Sequence, residues 1–432
     1  MSDKALASHV SLLVAGTAAH RILLSSDGET ATAQLSGRWL AEEYGAMSHT
    51  APPLLKLIDV SSDRATKIVS GWLLSAPGGE GGGVYLTEES EELRYQLRSF
   101  AGVAPTWNPP EGLWAVKATS AAAGRLIIAL WRPAPRLPGA AATETLQQVA
   151  ITTVDATSAT PPVTRILTLQ TPRYGGSLLQ AGFAQNPIDG TVYIADLASA
   201  GGKTLTIHAL DGRSLDSKWQ ANVPRPVAGR AEASGDLQVS LAVSSDGQFL
   251  LTGLGAGTAH GIAAEVLQIL STRSGALQAA VPAPDVAGLW TITDAGAASG
   301  SALGVLSFLE SRGAESHDVQ FRGLATIDAA QGTLRRDFEF LRESLGARYE
   351  RMRGLVPTAL AWHPTQKRWL LAPENFAWVR AYGITDGVPA TDLPAGQDSG
   401  RFRPEVSSQL TIPPTWHRPG RPRIDAWVAL GH

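Results

Sequence analysis

The chain has 432 residues, a hydrophobic share of 44%, a charged share of 17% and a formal net charge of −3 at pH 7. These values describe an ordinary globular protein, exclude a disordered or fibrous one, and provide no overall field that would attract nucleic acid. The absence of cysteine excludes disulfides, thiolate metal sites and cysteine nucleophiles. At this length the chain forms two or three domains or one large closed repeat.

The first residues predict a strand rather than a targeting or membrane segment. The apolar core from Val10 to Ala15 is too short for a signal peptide. No apolar run in the sequence approaches the roughly 18 residues that a membrane helix requires. We therefore expect no membrane insertion and a cytoplasmic location, with a periplasmic or secreted one left open. Arginine outnumbers lysine and Ala, Gly and Pro are abundant, which indicates GC-rich coding and a bacterial source.

The first hundred residues predict several short strands. Turn signals at Asp27-Gly28 and at Ser61 to Asp63 each separate two apolar runs, as expected of hairpins. Further on, a Gly-rich run at 78–83 and a turn near Ser90 separate three more strands, and the Pro-rich residues 101–112 predict a loop. The hairpins at Ser62 and Ser90 are too close together to belong to successive complete four-stranded units.

Pairs of hairpins recur between residues 113 and 394. The outer hairpin turns fall at intervals of 54, 63, 57 and 55 residues, near Ser158, Gly212, Gly275, Gly332 and Gly387. A second series of turns, at Asp189-Gly190 and Asp246-Gly247, repeats after 57 residues. Two turn series with one long period, and four strands in each unit, are typical of the blades of a β-propeller.

The clearest unit is the stretch from Leu237 to Pro284, which reads as the four strands LQVSLAVS, FLLTGL, EVLQILST and LQAAVPA. The Gly-rich run from Gly253 to Gly261 lies between the second and third of these strands. This run is not expected to bind phosphate, because it opens no helix of a βαβ unit and no Gly-Lys-Ser/Thr follows it. We interpret it as a flexible connection between two strands.

The sequence thus predicts an all-β fold, a single β-propeller of four-stranded antiparallel blades. Seven blades fit best, with six or eight as alternatives. The tail at 409–432 contains two strands that could pair with N-terminal strands and close the ring, which would remove exposed edges. Residues 335–353 depart from the strand pattern. An apolar stripe at helical spacing, formed by Leu341, Leu345, Tyr349 and Met352, predicts a short helical insertion near 338–353.

Two segments, LLKLIDVSSDRATKIVSG and GLATIDAAQGTLRRDFEF, resemble the outer hairpin of YVTN/WD40-like, quinoprotein-type β-propellers. QNPIDGTVYIAD, AVSSDGQFLLTG and AWHPTQKRWLLAP are similar to the inner hairpin of that group. The likeness covers most of residues 113–394 and, more loosely, 10–100. No blade carries the GH and WD dipeptides of WD40 repeats or the YVTN tetrapeptide. The resemblance implies the propeller fold and no single activity, since propellers host many functions.

The histidines are the main candidates for a ligand or partner site. They are scattered, and no pair has the spacing of a local metal site, so whether a metal binds is unknown. Trp362-His363-Pro364 and Trp416-His417 each follow an apolar strand, where a turn would face one end of the ring. His260, in the Gly-rich run, is a weaker third candidate.

The carboxylates of the repeated turns have a structural explanation. Asp189, Asp246 and Asp386 precede glycines, and an aspartate in this position hydrogen-bonds the backbone of its own turn. No Gly-x-Ser-x-Gly elbow is present, and no catalytic residue is predicted. Several tryptophans in or beside strands, Trp114 and Trp131 among them, are expected to pack between blades.

These observations favour a non-catalytic propeller that binds another protein or acts as an assembly scaffold, without a cofactor and without nucleic acid. One alternative is a propeller enzyme, either lactonase- or hydrolase-like with an axial metal, or a subunit of a redox enzyme resembling amine-dehydrogenase heavy chains. A carbohydrate-binding propeller is the other alternative.

Overall fold

The structure is a computed structural model of the chain. It describes residues 19–24, 30–35, 54–59, 64–75, 83–89, 94–100, 103–112, 114–133, 147–156, 158, 160–169, 182–197, 204–224, 237–258, 261–264, 266–282, 288–291, 300–312, 317–339, 357–363, 368–373 and 380–382. Every regular element in these residues is a β-strand, and all strand pairs are antiparallel. Among the described residues, no helix is long and apolar enough to cross a membrane.

The first half of the chain forms four sheets, and the strands of each sheet are neighbours in chain order. The first sheet contains β1 (Ala19–Leu24), β2 (Thr30–Leu35), β3 (Leu54–Asp59) and β4 (Arg64–Ser70). The second contains β5 (Trp72–Leu73), β6 (Val84–Glu89) and β7 (Arg94–Ser99). The third contains β8 (Ala115–Ala122), β9 (Arg125–Pro133), β10 (Gln147–Asp155) and β11 (Val163–Leu169). The fourth contains β12 (Phe183–Gln185), β13 (Val192–Leu197), β14 (Thr204–Leu210) and β15 (Ser217–Pro224).

The second half repeats the pattern with one extra strand. The fifth sheet contains β16 (Leu237–Val243), β17 (Phe249–Thr258), β19 (Val266–Ser271) and β20 (Leu277–Pro282). The sixth contains β21 (Gly288–Thr291), β22 (Ala302–Arg312), β23 (His317–Asp328) and β24 (Thr333–Glu339). The short strand β18 (Gly261–Ala264) pairs with both β17 and β21 and joins these two sheets. The seventh contains β25 (Pro357–His363), β26 (Arg368–Pro373) and β27 (Arg380–Tyr382).

The first strands of several neighbouring sheets lie beside one another. β5 lies next to β8, β8 next to β12, and β12 next to β16. β1 lies next to β25, which brings the first and the seventh sheet together. Consecutive antiparallel sheets whose first strands surround one axis form a β-propeller, and the predicted fold is confirmed. The number of blades stays a prediction, and so does ring closure by the tail at 409–432, which lies outside the described residues.

Two expectations change. The Gly-rich run is not a loose connection, because β17 continues through it to Thr258 and pairs Gly253 with Ser240 and Gly255 with Gln238. Its glycines alternate with leucine, alanine and threonine, and the ladder with β16 holds the backbone extended. The predicted helical segment begins as strand, since β24 runs to Glu339; residues 340–353 lie outside the described part. The hairpins at Ser62 and Ser90 lie in successive sheets that are not both complete, as expected, because the second sheet has three strands among the described residues. Their spacing is short because the first joins β3 to β4, the last two strands of its sheet, and the second joins β6 to β7.

The core lies between neighbouring sheets. A strand in the middle of a sheet is covered on both faces by the sheets on either side. Leu126, Ile128 and Leu130 of β9 pack towards the second sheet. The alternate residues Ile127 and Ala129 pack towards the fourth. All five are at most 1% exposed. A strand buried on both faces explains the nearly unbroken apolar sequence of β9.

Turns lock the fourth sheet to the fifth. The Asn186 side-chain amide donates to the carbonyl oxygen of Gly247 at 2.8 Å, and the Thr272 hydroxyl donates to the same oxygen at 2.7 Å. The Trp219 indole donates to the Thr272 carbonyl oxygen at 2.9 Å. Gly275, which ends the β19–β20 turn with φ of +71°, lies against Trp219 and Ala221. A β-carbon at Gly275 would lie 2.5 Å from that of Ala221.

We predict that Gly275→Ala lowers the free energy of unfolding by about 2–4 kcal/mol, because left-handed strain and a clash with β15 add together. Gly124→Ala is the matched control: Gly124 has a φ of +69° with nothing within 4 Å of the added carbon. The free energy of unfolding of this control should fall by about 1–2 kcal/mol, because only the left-handed backbone strain contributes. Urea denaturation of the three proteins measures the difference. Equal losses in both variants would show that the inter-sheet contact at Gly275 is unimportant.

Candidate functional site

The second sheet has no fourth strand among the described residues. Residues 103–112 follow β7 in the chain, where the complete sheets have their fourth strand, and they pair with no described strand. Pro105, Pro109 and Pro110 lack the amide hydrogen that a ladder requires. Instead, Trp107 is only 6% exposed and joins the apolar core between the second and third sheets. One side chain therefore anchors this segment in place of a backbone ladder.

Several aromatic and charged residues meet at the edge of the ring where this segment ends. Antiparallel strands alternate in direction, so the starts of β5, β7 and β8 and the ends of β6 and β9 share one edge. We call the residues there the aromatic edge: Trp72, Glu88, Tyr95, Trp107, Trp114 and Arg132. The turns that carry Asp189 and Asp246 lie at the opposite edge, because they follow the first strands of their sheets.

Hydrogen bonds and ring contacts fix the aromatic edge. The Tyr95 hydroxyl donates to the Trp114 carbonyl oxygen at 2.9 Å, and the Trp114 indole donates to the Glu111 carbonyl oxygen at 2.9 Å. The Arg132 guanidinium lies 4.2 Å from the centre of the Trp114 ring, a cation–π contact. The rings of Trp72 and Tyr95 meet edge to face with centroids 5.8 Å apart. These contacts tie the second sheet to the third.

Glu88 supplies a carboxyl group to this edge. Its Oε2 atom is buried and has no hydrogen-bond partner among the described residues. Burial raises the pKa of the Glu88 carboxyl above its usual value. Glu88 faces Tyr95 across the β6–β7 ladder, and burial, followed by the Glu88 charge, raises the pKa of the Tyr95 hydroxyl. A neighbouring cation would stabilise the ionised form of this partly buried carboxyl group.

Two hydrogen-bond donors of the aromatic edge are also unused. The indole Nε1 atoms of Trp72 and Trp107 are buried and have no partner among the described residues. Buried polar groups are normally satisfied by protein or ordered water, so unsatisfied ones concentrated at one place call for an explanation. Among the described residues, the aromatic edge therefore combines one unpartnered carboxyl oxygen and two unpartnered indole donors with aromatic rings that are at most 6% exposed.

The carboxylates at the opposite edge are satisfied by their own turns, as the sequence predicts. Asp246 Oδ1 accepts from the Ser244 hydroxyl at 2.6 Å and from the Gln248 amide at 3.0 Å. Asp189 accepts from the Thr191 amide at 2.9 Å and pairs with Lys218 at 2.9 Å. Burial would raise the pKa of Asp189, but these hydrogen bonds and the Lys218 charge lower it. The pair is largely exposed and contributes less than about 1 kcal/mol. Asp386 lies outside the described residues.

The histidine candidates are only partly described. His363 is the last residue of β25 and faces Arg368 of β26, and Trp362 faces Trp369. By its place after a first strand, His363 lies at the edge opposite the aromatic edge. His417, Trp416 and His260 lie outside the described residues. All five stay predicted partner contacts. No group of three or more residues suited to a metal occurs in the described part of the chain.

Sequence reasoning missed Glu88 and Tyr95 and treated tryptophans only as packing. Trp114 does pack between sheets, as expected. Two signals could have identified the edge: a Glu-Glu pair that ends β6, and a tryptophan between prolines in PTWNPP. Neither signal locates the edge without the three-dimensional arrangement, because the residues come from four strands and a loop.

Known structures with a similar arrangement are remote in sequence. The Cps50 (Swd1) β-propeller domain of Myceliophteria thermophila is 10% identical, covers 87% of this chain and 100% of its own, and superposes with a TM-score of 0.48. The Dos1 propeller is 10% identical with coverages of 88% and 82% and a TM-score of 0.43. Sqt1 of Saccharomyces cerevisiae is 10% identical with coverages of 89% and 100% and a TM-score of 0.45.

No family model matches the sequence, and neither does any curated protein. The fold rests on the sheet order described above. Likenesses at this level carry no argument about function, which must come from the residues of the aromatic edge.

His208 is a second titratable group whose environment matters, although it lies away from the aromatic edge. It is in β14, and its Nε2 atom is buried without a hydrogen-bond partner among the described residues. Burial lowers the pKa of His208; the Asp196 carboxylate opposes this and the Arg165 charge adds to it. The folded protein therefore binds the His208 proton less readily than the unfolded chain does.

We predict that His208 makes the protein less stable in mild acid. The unfolded chain takes up this proton as the pH falls below about 6.5, whereas the folded protein resists it, so the free energy of unfolding decreases there. His208→Gln should remove this component and flatten the dependence between pH 7.5 and 5.5. Urea denaturation of both proteins at the two pH values measures it. The same pH dependence in the variant as in the wild type would contradict the assignment.

Proposed function

We propose that this propeller is a non-catalytic scaffold that binds another protein and receives a cationic side chain of that partner at the aromatic edge. The observation that carries the proposal is Glu88, whose buried Oε2 atom has no partner among the described residues. Glu88 is half-buried, and an unpartnered buried carboxyl oxygen costs free energy that a hydrogen bond from an incoming lysine or arginine would offset.

The surroundings of Glu88 suit a cation. Tyr95 pairs with Glu88 across the β6–β7 ladder, and its ring meets that of Trp72 edge to face. Both rings are at most 4% exposed, so the carboxyl group rather than a ring face meets an incoming lysine or arginine.

The aromatic edge is also rigid before binding. Trp107 anchors residues 103–112, while Val103 at the start of the segment is 98% exposed. Tyr95 and Trp114 join neighbouring sheets through a hydrogen bond of 2.9 Å. Binding to a preorganised surface loses less conformational entropy than binding to a loose one. A loop held by a rigid scaffold is a common place for recognition.

We predict that Glu88→Gln weakens binding of cationic peptides by about ten- to hundredfold, the value of one hydrogen bond to a charged group. Peptides would be selected from a random displayed library on the purified wild-type protein, and their affinities measured by fluorescence anisotropy. The selected peptides should share a lysine or arginine. Replacing that residue by glutamine should weaken binding to the wild type but not further weaken binding to Glu88→Gln.

Glu111→Gln is the matched control, since Glu111 is an exposed carboxylate at the same edge and contributes only its backbone oxygen to the contacts there. Its affinities should equal those of the wild type. The proposal would be contradicted if the selected peptides shared no positive charge, or if they bound the wild type and Glu88→Gln with equal affinity. A library that yields no binder would also count against it.

A further inference from the structure

Among the described residues, the short second sheet leaves β11, the outermost strand of the third sheet, uncovered on one face. The core between these two sheets includes Ala150 and Val154 of β10 but no residue of β11. The core on the other side of the third sheet does reach the outermost strand, through Leu167 and Leu169 of β11. The difference follows from the number of strands: a three-stranded sheet cannot cover a four-stranded one.

Alternate residues of β11 show the same asymmetry. Thr164, Ile166 and Thr168 point to the uncovered side and are exposed, and Ile166 keeps 48% of its surface accessible. On the opposite side, the Arg165 guanidinium donates to the Leu215 carbonyl oxygen at 2.6 Å, which fixes β11 to the fourth sheet. The strand is therefore held firmly while its exposed side carries no charge.

The outer strand β11 has no charged residue among Thr164, Ile166 and Thr168 on its exposed side. No described strand pairs with β11 on the side away from β10, so the amide and carbonyl groups that alternate residues direct to that side have no strand partner among the described residues. Proteins normally protect such edges with charges, as β15 does with the exposed Lys218. In β11 the charge is turned inward at Arg165, and the outward residues are β-branched, which favours strand pairing.

We propose that two copies of this chain form a dimer by pairing their β11 strands antiparallel, with Ile166 opposite Ile166 of the second copy. The sequence VTRILTL is self-complementary in this register. Thr164 then faces Thr168 of the other copy, Val163 faces Leu169, and no like charges meet. A two-fold contact requires such self-complementarity, and Thr–Thr and β-branched pairs are favourable across strands. The two third sheets would become one eight-stranded sheet.

In this register, residue 166 of one copy lies opposite residue 166 of the other copy, which allows a specific test. Sedimentation velocity of the wild-type protein over a range of concentrations should show a dimer. Ile166→Lys should weaken the dimer by about tenfold or more, since two like charges then lie directly opposite each other. Ile166→Glu should do the same. An equimolar mixture of the two variants should restore a dimer that contains one copy of each.

The control is Leu277→Lys, a change at a similarly exposed residue of another outer strand, β20, where Leu277 is 46% exposed. This variant should dimerise as the wild type does, and circular dichroism should confirm that every variant folds. Because the chain has no cysteine, Ile166→Cys gives a second readout: it should form a disulfide-linked dimer under mild oxidation, and Leu277→Cys should not. A monomeric wild type, or a mixture that stays monomeric, would overturn the proposal.

Discussion

A propeller sheet gains a fourth strand only where the chain can donate amide hydrogens to the third strand. In the second sheet that requirement fails, because the segment in the fourth position carries Pro105, Pro109 and Pro110. The segment is held by the buried indole of Trp107 instead. Side-chain burial replaces a backbone ladder, and the ring keeps its continuity with one sheet narrower than its neighbours.

Both surfaces with a proposed function follow from this replacement of a backbone ladder by a buried side chain. At one edge of the ring, the proline segment brings Trp107 to Trp72, Tyr95 and Glu88 and leaves polar atoms of that cluster without partners. At the outside of the ring, the missing strand leaves Ile166 of β11 uncovered. In the fourth and fifth sheets, Asn186 and Thr272 instead tie turns together through the carbonyl oxygen of Gly247.

Much of the fold could be predicted from the sequence because propeller blades obey local rules. Turns such as Asp189-Gly190 and Asp246-Gly247 can be recognised by residue type, and their aspartates do accept hydrogen bonds from their own turns. Local rules fail where pairing with a distant strand determines the secondary structure. The Gly-rich run looked like a loop, but the ladder with β16 makes it strand. Residues 335–339 looked like the start of a helix, but pairing with β23 makes them strand. The aromatic edge could not be predicted, since Glu88 becomes unusual only when its neighbours exclude water.

The central claim is that residues 103–112 follow β7 in the chain without forming the ladder of a fourth strand, and amide hydrogen exchange tests it most directly. The account predicts that the amides of this segment exchange at rates close to those of an unstructured peptide. The amides of β15, the fourth strand of the fourth sheet, should be protected where they pair with β14. Protection of residues 103–112 equal to that of β15 would contradict the account.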